Sequence, residues 1–364
     1  MSEAYAASGV DYETLDAAKR FALTAARATA ELGAARGARL DAGFFGEPAA
    51  LVEVGSLRLG FVLECLGTKS LIAAALEEAT GADHYSAIGF DTVAAAVNDC
   101  CCVGALPVVV NAYFATGAAD FYGGSRHRSL VEGFARGCAA AGASWGGGES
   151  PTLSGIVSPQ AIDLAAAAIG IVPPGAEPLA APRLEVGDEI VLVASSGLHQ
   201  NGASLVRSVA ERLDGGLLAP LPSGRLFGEA VLDESVIYAP LVEALLRSEG
   251  RLHYASNITG HGLRKLMRAD RELRYRVDEL PEVPEVLTFL AGAAGLDDRE
   301  AYGTLNMGAG YALFVAAGEG AATCAQATAL GLRALVAGEV EEGRRSVLLA
   351  PLGVTYAADE LELR

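Results

Sequence analysis

Hydrophobic and polar positions along this chain follow two rhythms, that of a helix with an apolar stripe and that of a buried strand. The clearest case spans residues 87–117, AIGFDTVAAAVNDCCCVGALPVVVNAYFATG. Alanine and valine dominate residues 91–103, Gly104 stands where a helix C-cap belongs, and Pro107 blocks continuation. Residues 108–114 follow as a mostly apolar run of strand length, rich in β-branched and aromatic side chains. Residues 59–63, 162–172 and 190–194 predict further strands. Residues 130–142 predict an amphipathic helix with Val131, Phe134 and Cys138 along one face. Such alternation predicts an α/β fold. The stretch 173–182, PPGAEPLAAP, has no periodicity and predicts a linker between a domain at 1–172 and a second at 173–364.

Three polar residues interrupt the apolar helix. Asp91 and Asn98 are seven apart, so they project from nearly the same stripe, and Asp99 flanks them. Carboxylates beside an amide make a good cation site. The plainer alternative is that Asp91 caps the helix and Asn98 bonds a neighbouring loop.

Composition narrows the function. With 364 residues, of which 51% are hydrophobic, the chain is long enough for two cores and too apolar for disorder. It contains no run of eighteen apolar residues, so no membrane span is expected. The opening MSEAYAASGVDYE lacks the charged-then-apolar pattern of a signal peptide, which predicts a cytoplasmic protein. A formal charge of −18 argues against nucleic acid as a partner. A nucleotide is still acceptable, provided Mg²⁺ and backbone N–H groups offset its phosphates. Of six cysteines, Cys100, Cys101 and Cys102 are consecutive in the predicted helix and point in different directions. No CxxC pair is present, and the cysteines read as small buried hydrophobes in a reducing compartment.

The blocks FDTVAAAVND and GALPVVVNAYFATG resemble the aminoimidazole ribonucleotide synthetase family, the cyclo-ligases of purine synthesis. Members read GxDxVAMxVND and GAxPLFFLDYYATG there. The family belongs to a superfamily of ATP-dependent enzymes that includes selenophosphate synthetase and thiamine-phosphate kinase. The resemblance implies a two-domain α/β fold whose first domain is a half-barrel. That half-barrel pairs with its copy in a homodimer, with ATP and Mg²⁺ near the interface.

Further motifs carry the resemblance along the chain. YAASGVD at 5–11 is similar to the family's opening, but the lysine that follows in the family falls at Leu23, with Lys19 one turn earlier. DAGFFGEPAA at 41–50 keeps Gly43 and Gly46 of a richer glycine loop. ECLGTK at 64–69 resembles DGVGTK at the mouth of the ATP site. There Gly67 would admit phosphate close to the backbone, Thr68 offers a hydroxyl, and Lys69 offers a positive charge. Glu64 keeps a metal-binding carboxylate one methylene further out, and Cys65 replaces a glycine. As a nucleophile Cys65 has no adjacent base in the sequence. WGGGES resembles IGGET, which places Gly148 near nucleotide and Glu149 where it would hold Mg²⁺. SSGLHQNGASLVR stands against SSGxHSNGYSLxR, making His199 and Asn201 ligand donors or helix caps. In NITGHG, against HITGGG, Asn257 replaces a histidine proposed to act in catalysis and His261 replaces a glycine. YGTLNMGAGYALFV at 302–315 resembles the family's FNMGxGM strand.

The implied chemistry is phosphorylation of an amide-type carbonyl oxygen by ATP, followed by nitrogen attack and loss of phosphate. Lys69, His261 and Asn257 are the catalytic candidates. Gly43, Gly67, Thr68, Lys69, Asn98, Gly148, His199 and Asn201 are the nucleotide-site candidates, and Glu64, Asp91, Asp99 and Glu149 the Mg²⁺ ligands. Leu23, Ala112 and Asn257 stand where the family has lysine, aspartate and histidine. These departures favour a paralogue acting on another nucleotide-like or heterocyclic small molecule, in specialised metabolism. The alternatives are the purine-pathway cyclo-ligase itself, a small-molecule kinase, or a non-catalytic metabolite-binding protein.

Overall fold

The computed structural model describes residues 12–247 and 251–361, so the opening motif at 5–11 lies outside the described residues. Helix α1 (Tyr12–Arg27) carries Lys19 and Leu23. A six-stranded sheet follows, built from β1 (Ala38–Leu40), β2 (Ala50–Val54), β3 (Leu57–Cys65), β4 (Leu106–Thr116), β5 (Ser144–Glu149) and β6 (Ile162–Ile171). Its order is β1-β2-β3-β6-β4-β5, antiparallel except for the β4–β5 pair. Among the described residues the sheet is open: β1 and β5 are its edges and do not pair with each other.

Helices α2 (Lys69–Thr80), α3 (Tyr85–Cys101) and α4 (Ser125–Ala140) belong to this half, and α3 packs on β3, β4 and β6. Helix α3 begins six residues before the predicted 91–103 and its C-cap is Cys102, not Gly104; Gly104 follows two residues on, with a φ of 77° and its N–H donating to the Cys101 carbonyl at 3.0 Å. Its contact with α4 is very close. A Cβ on Gly133 would lie 1.8 Å from the Ser86 carbonyl oxygen, and one on Gly89 would lie 2.3 Å from that of Leu130. The three consecutive cysteines are buried as small apolar groups, and burial pushes Cys100 and Cys102 up to about 12. The other face of the sheet presents exposed apolar side chains among the described residues. Along β3, Phe61 and Leu63 are exposed and Val62 is buried, as a period of two requires.

The second half holds a seven-stranded sheet of β7 (Glu189–Ala194), β8 (Leu252–Asn257), β9 (Leu273–Val277), β10 (Ala309–Val315), β11 (Ala334–Glu342), β12 (Ser346–Leu349) and β13 (Val354–Ala357). Its order is β13-β12-β9-β11-β7-β10-β8. Every residue of β10 is buried. The predicted strand at 302–315 is shorter than expected: it starts at Ala309, and its first residue by prediction, Tyr302, ends the short helix Asp298–Tyr302. Helices α5 (Ala203–Ala210), α6 (Phe227–Val231) and α7 (Ala239–Leu246) complete the parts that meet the first half. Helix α7 contacts α3 and β4.

The stretch 173–182 is not loose. Leu179 is fully buried, and its N–H donates to the Val103 carbonyl 3.2 Å away. Among the described residues no helix is long and apolar enough to cross a membrane.

Candidate active site between the two sheets

Two helices from different halves of the chain begin at one place. Helix α2 starts directly after Gly67 and Thr68, and α5 starts directly after Gly202. Gly67 and Gly202 have φ of 69° and 104°, the left-handed region that glycine enters cheaply. Thr68 Oγ1 lies 3.2 Å from Ser204 Oγ, so the two hydroxyls tie the helix starts together. The first N–H groups of a helix have no partner within it and carry the positive end of its dipole. Both starts open on a cleft of about 620 Å³ lined from both halves.

The cleft holds acid and base together. Glu64, at the end of β3, meets Asp99 of α3; burial and then the Asp99 charge push its carboxyl up to about 8. Asp99 Oδ1 accepts a hydrogen bond from Asn257 Nδ2 at 2.7 Å. Facing them are Lys265 and Arg268, from a turn of 3₁₀ helix at Gly262–Met267 and its end. The Lys265 ammonium donates to the Thr259 hydroxyl, and burial, then Arg268, lower it to about 8. Arg268 Nη2 donates to the Gly46 carbonyl at 2.8 Å, and Glu47 accepts from Tyr254 Oη at 2.7 Å. The glycine loop of the first half is thereby held onto the second. His261 lines the same cleft, buried, with a φ of 75°. Such a cleft can hold anionic oxygens at the helix starts and lysine. Its carboxyl pair can hold a hard cation that also takes phosphate oxygens.

Of the residues singled out from the sequence, Glu64, Gly67, Thr68, Asp99, Asn201, Asn257 and His261 line this cleft. Others lie behind it. Lys69 and Asp91 are fully buried and pair with each other, Nζ to Oδ2 at 2.5 Å. Lys69 Nζ also donates to the His199 carbonyl at 2.7 Å, and Asp91 Oδ1 accepts from Ser235 N at 2.7 Å. Asp91 is the seventh residue of α3, so it is not the cap, and its carboxylate pairs with the Lys69 ammonium where a metal ion was expected. His199 Nε2 accepts from the N–H groups of Ser196 and Val236 at 3.1 and 3.4 Å, and burial lowers the ring to about 4. Asn98 does what the plainer reading foresaw: its Nδ2 donates to the Val236 carbonyl at 2.8 Å and its Oδ1 accepts from Tyr238 N at 2.9 Å.

Three more are elsewhere. Gly43 lies in a 3₁₀ turn, donating to Asp41 Oδ1 at 2.9 Å, and it is the neighbouring Gly46 that lines the cleft. Gly148 and Glu149 are on edge strand β5, outside that lining. A Cβ on Gly148 would lie 1.9 Å from the Ala112 carbonyl oxygen, which is why glycine stands there. The four expected metal carboxylates are therefore dispersed, with only Glu64 and Asp99 in the cleft. Among the described residues no group of three or more His, Cys, Asp or Glu side chains is arranged to hold a metal ion. Cys65 is exposed in the cleft, its thiol raised by burial and then by Asp163.

Sequence reasoning missed Lys265, Arg268 and Gln200. Lys265 sits in GLRKLMR, which reads as a solvated basic turn, and only the fold turns it inward. Gln200 replaces the serine of the family's HSNG, a departure visible in the motif.

Models of AIR synthase related protein match this chain twice, the N-terminal domain over residues 46–172 and the C-terminal domain over 185–350. The phosphoribosylformylglycinamidine cyclo-ligase of Oceanobacillus iheyensis is 33% identical over 326 residues, covering 87% of this chain and 90% of that protein. Its namesake from Methanothermobacter thermautotrophicus is 33% identical over 273 residues, covering 74% and 77%. Among solved structures, the hydrogenase maturation protein HypE in complex with ATP superimposes with a TM-score of 0.60 at 18% identity, covering 84% of this chain and 85% of that one.

Proposed function

Because the chain belongs to the AIR synthase related family, we propose that it is an ATP-dependent enzyme acting on a small nucleotide-like substrate, and that its reaction is the ring closure named for its cyclo-ligase relatives. The observation that carries this reading is the convergence of two helix starts, Gly67–Thr68 and Gly202–Ser204, on a cleft faced by Lys265. That arrangement suits a phosphorylated ligand. The likeness to a fold that binds ATP in another protein supports ATP as the phosphoryl donor.

The sequence departures favour a different substrate, but two of the three groups they remove have candidate counterparts in the cleft, while Ala112, in place of the aspartate, is not part of its lining. Leu23 lines it in place of a lysine, and Lys265 brings an ammonium into the same cleft. Asn257 stands in place of a histidine, and His261 brings an imidazole four residues on. Together with 33% identity across nearly all of a named cyclo-ligase, this favours the purine reaction over specialised metabolism.

The residues fit Mg²⁺ when phosphate oxygens complete its shell. Glu64 and Asp99 are two adjacent carboxyl groups whose mutual repulsion a divalent cation would relieve. ATP, when bound, supplies the phosphoryl group that turns a carbonyl oxygen into a leaving group. The chain's own part is positioning and charge. The helix starts would hold anionic oxygens, and Lys265 would offset the charge developing on them. Asn257 holds Asp99 in place, and His261 would take the proton released at the attacking nitrogen. The exposed apolar row of Phe61, Leu63, Ile169 and Val108 on the first sheet supports a second copy docking there as a homodimer.

Expression in a purine auxotroph lacking its own cyclo-ligase tests the reading. Growth without purines, abolished by Lys265→Met at equal protein level, is the expected result. Absence of growth with folded, soluble protein would overturn it.

A further inference from the structure

Arg268 stands at the end of the 3₁₀ turn that carries Lys265, and both line the cleft. Side chains three apart along such a turn lie over one another, so two cations share one wall. The Arg268 guanidinium is held from two sides. Its Nη2 donates to the Gly46 carbonyl at 2.8 Å, on the glycine loop of the first half. Its Nε faces Glu47 Oε2 at 3.6 Å, too long for a hydrogen bond, and that oxygen accepts from Tyr254 Oη at 2.7 Å. The side chains of Arg268 and Glu47 are 12% and 3% exposed, which leaves neither room to swing. A guanidinium is planar, so two fixed nitrogens also fix the third. Nη1 has no hydrogen-bond partner among the described residues, and unlike Nε it is not closed off from solvent. The small open part of the side chain belongs to the cleft lining, so Nη1 is the nitrogen left to meet a ligand. A largely desolvated guanidinium with a single protein acceptor is costly unless something else takes its remaining donors.

We propose that Arg268 is a ligand-contacting, specificity-determining residue whose Nη1 donates a hydrogen bond to a phosphate oxygen of the small molecule in the cleft. This rests on the reading of the cleft as a phosphate-ligand site. Lys265 beside it makes that wall doubly cationic, which suits an anion over a neutral group, while Glu64 and Asp99 face it from the first half. The phosphate has two sources, the triphosphate of ATP or the ribose phosphate of the acceptor. Because Nη2 of the same guanidinium holds Gly46, the ligand and the glycine loop of the first half share one anchor in the second.

The test compares the full-length protein with Arg268→Met and with the double variant Glu47→Gln, Arg268→Met by isothermal titration against Mg²⁺ with a non-hydrolysable ATP analogue, and separately against formylglycinamidine ribonucleotide. Thermal unfolding without ligand is measured alongside. Methionine keeps the buried stem, and the double variant also removes the carboxylate that the single one leaves buried without this cation. A hydrogen bond to a charged acceptor corresponds to roughly a 10- to 100-fold change in Kd. Both variants should weaken one of the two ligands by that factor and leave the other within about threefold, which identifies the source. Where Arg268→Met melts below the parent, the double variant should recover part of the loss while its binding stays weak, which separates contact from stability. Parent-like binding of both ligands by the double variant would overturn the proposal and leave the cleft reading intact. Loss of both ligands by the same factor would also overturn it, since that marks a deformed cleft and not a contact. Failure of the parent protein to bind either ligand would overturn both.

Discussion

The buried pair of Lys69 and Asp91 sets a prediction opposite to the one its sequence motif invites. Removing a metal carboxylate should cost nucleotide binding first; removing one member of a buried ion pair should cost stability first. Both side chains are fully buried, 2.5 Å apart, and each has one further backbone partner, the His199 carbonyl and the Ser235 N–H. Breaking such a pair from one side leaves an uncompensated charge, a cost of about 3–5 kcal/mol. Lys69→Met and Asp91→Leu should each lose about that much. If the two acted independently, the double variant would lose about 6–10 kcal/mol. Removing both charges instead leaves only two backbone groups unpaired, at about 1–3 kcal/mol each, or about 2–6 kcal/mol together. The coupling energy should thus be about 4 kcal/mol, in the direction of rescue. Urea unfolding followed by the fluorescence of Trp145, the only tryptophan, and by far-UV circular dichroism gives the four free energies, provided the two probes coincide. Should a single variant fail to fold, recovery of folded protein in the double variant is the same result in another form. Single losses below about 1 kcal/mol, or a double loss equal to the sum, would refute the reasoning.

Burial holds His199 at about 4 against an ordinary 6.5, so between these values the unfolded chain binds a proton that the folded chain refuses. The stability this gives is fully present above pH 6.5 and is lost as pH falls towards 4, about 3 kcal/mol in all. The difference between parent and His199→Gln stability should therefore shrink across that window, and a constant difference would contradict it. The dimer should appear in sedimentation at micromolar concentration, and Leu63→Arg, on the exposed row, should shift it to monomer; a monomeric parent would remove the proposal. In a thiol-reagent time course Cys65 should react within the folded protein, while Cys100, Cys101 and Cys102 stay unreactive until it unfolds. Fast labelling of the buried three, read by peptide mass, would contradict their placement.

The elements with long periodic patterns were legible because burial and local geometry point the same way in them. Helix α3 and strand β4 appear where alanine, valine and Gly104 predicted them, with ends shifted by a few residues. The strand predicted from Tyr302 starts later, because Tyr302 belongs to a helix opened by an Asp297–Glu300 capping box, a signal that is present in the sequence. The site was only half legible. Residues in glycine turns, such as Gly67 and Thr68, reached the cleft, since a turn before a helix fixes where its N–H groups point. Lys69 and Asp91 carry the right chemistry for a site but are consumed by each other, and that pairing spans 22 residues and two helices. Asn98 is similarly taken by a loop 138 to 140 residues away. No local pattern encodes such distances. Lys265 was invisible for the converse reason: its inward turn is decided by β8 and the 3₁₀ helix that follow from the second sheet, not by its neighbours in sequence.

The proposed function requires this cleft to couple ATP cleavage to ring closure. Phosphorus NMR of the purified protein with Mg²⁺, ATP and formylglycinamidine ribonucleotide, with chromatographic detection of aminoimidazole ribonucleotide, measures it directly. ADP and free inorganic phosphate should appear in equal amounts, matched one to one by the ring product. ADP accompanied by a stable new phosphate ester on the acceptor, or no ATP cleavage at all by folded protein, would contradict it.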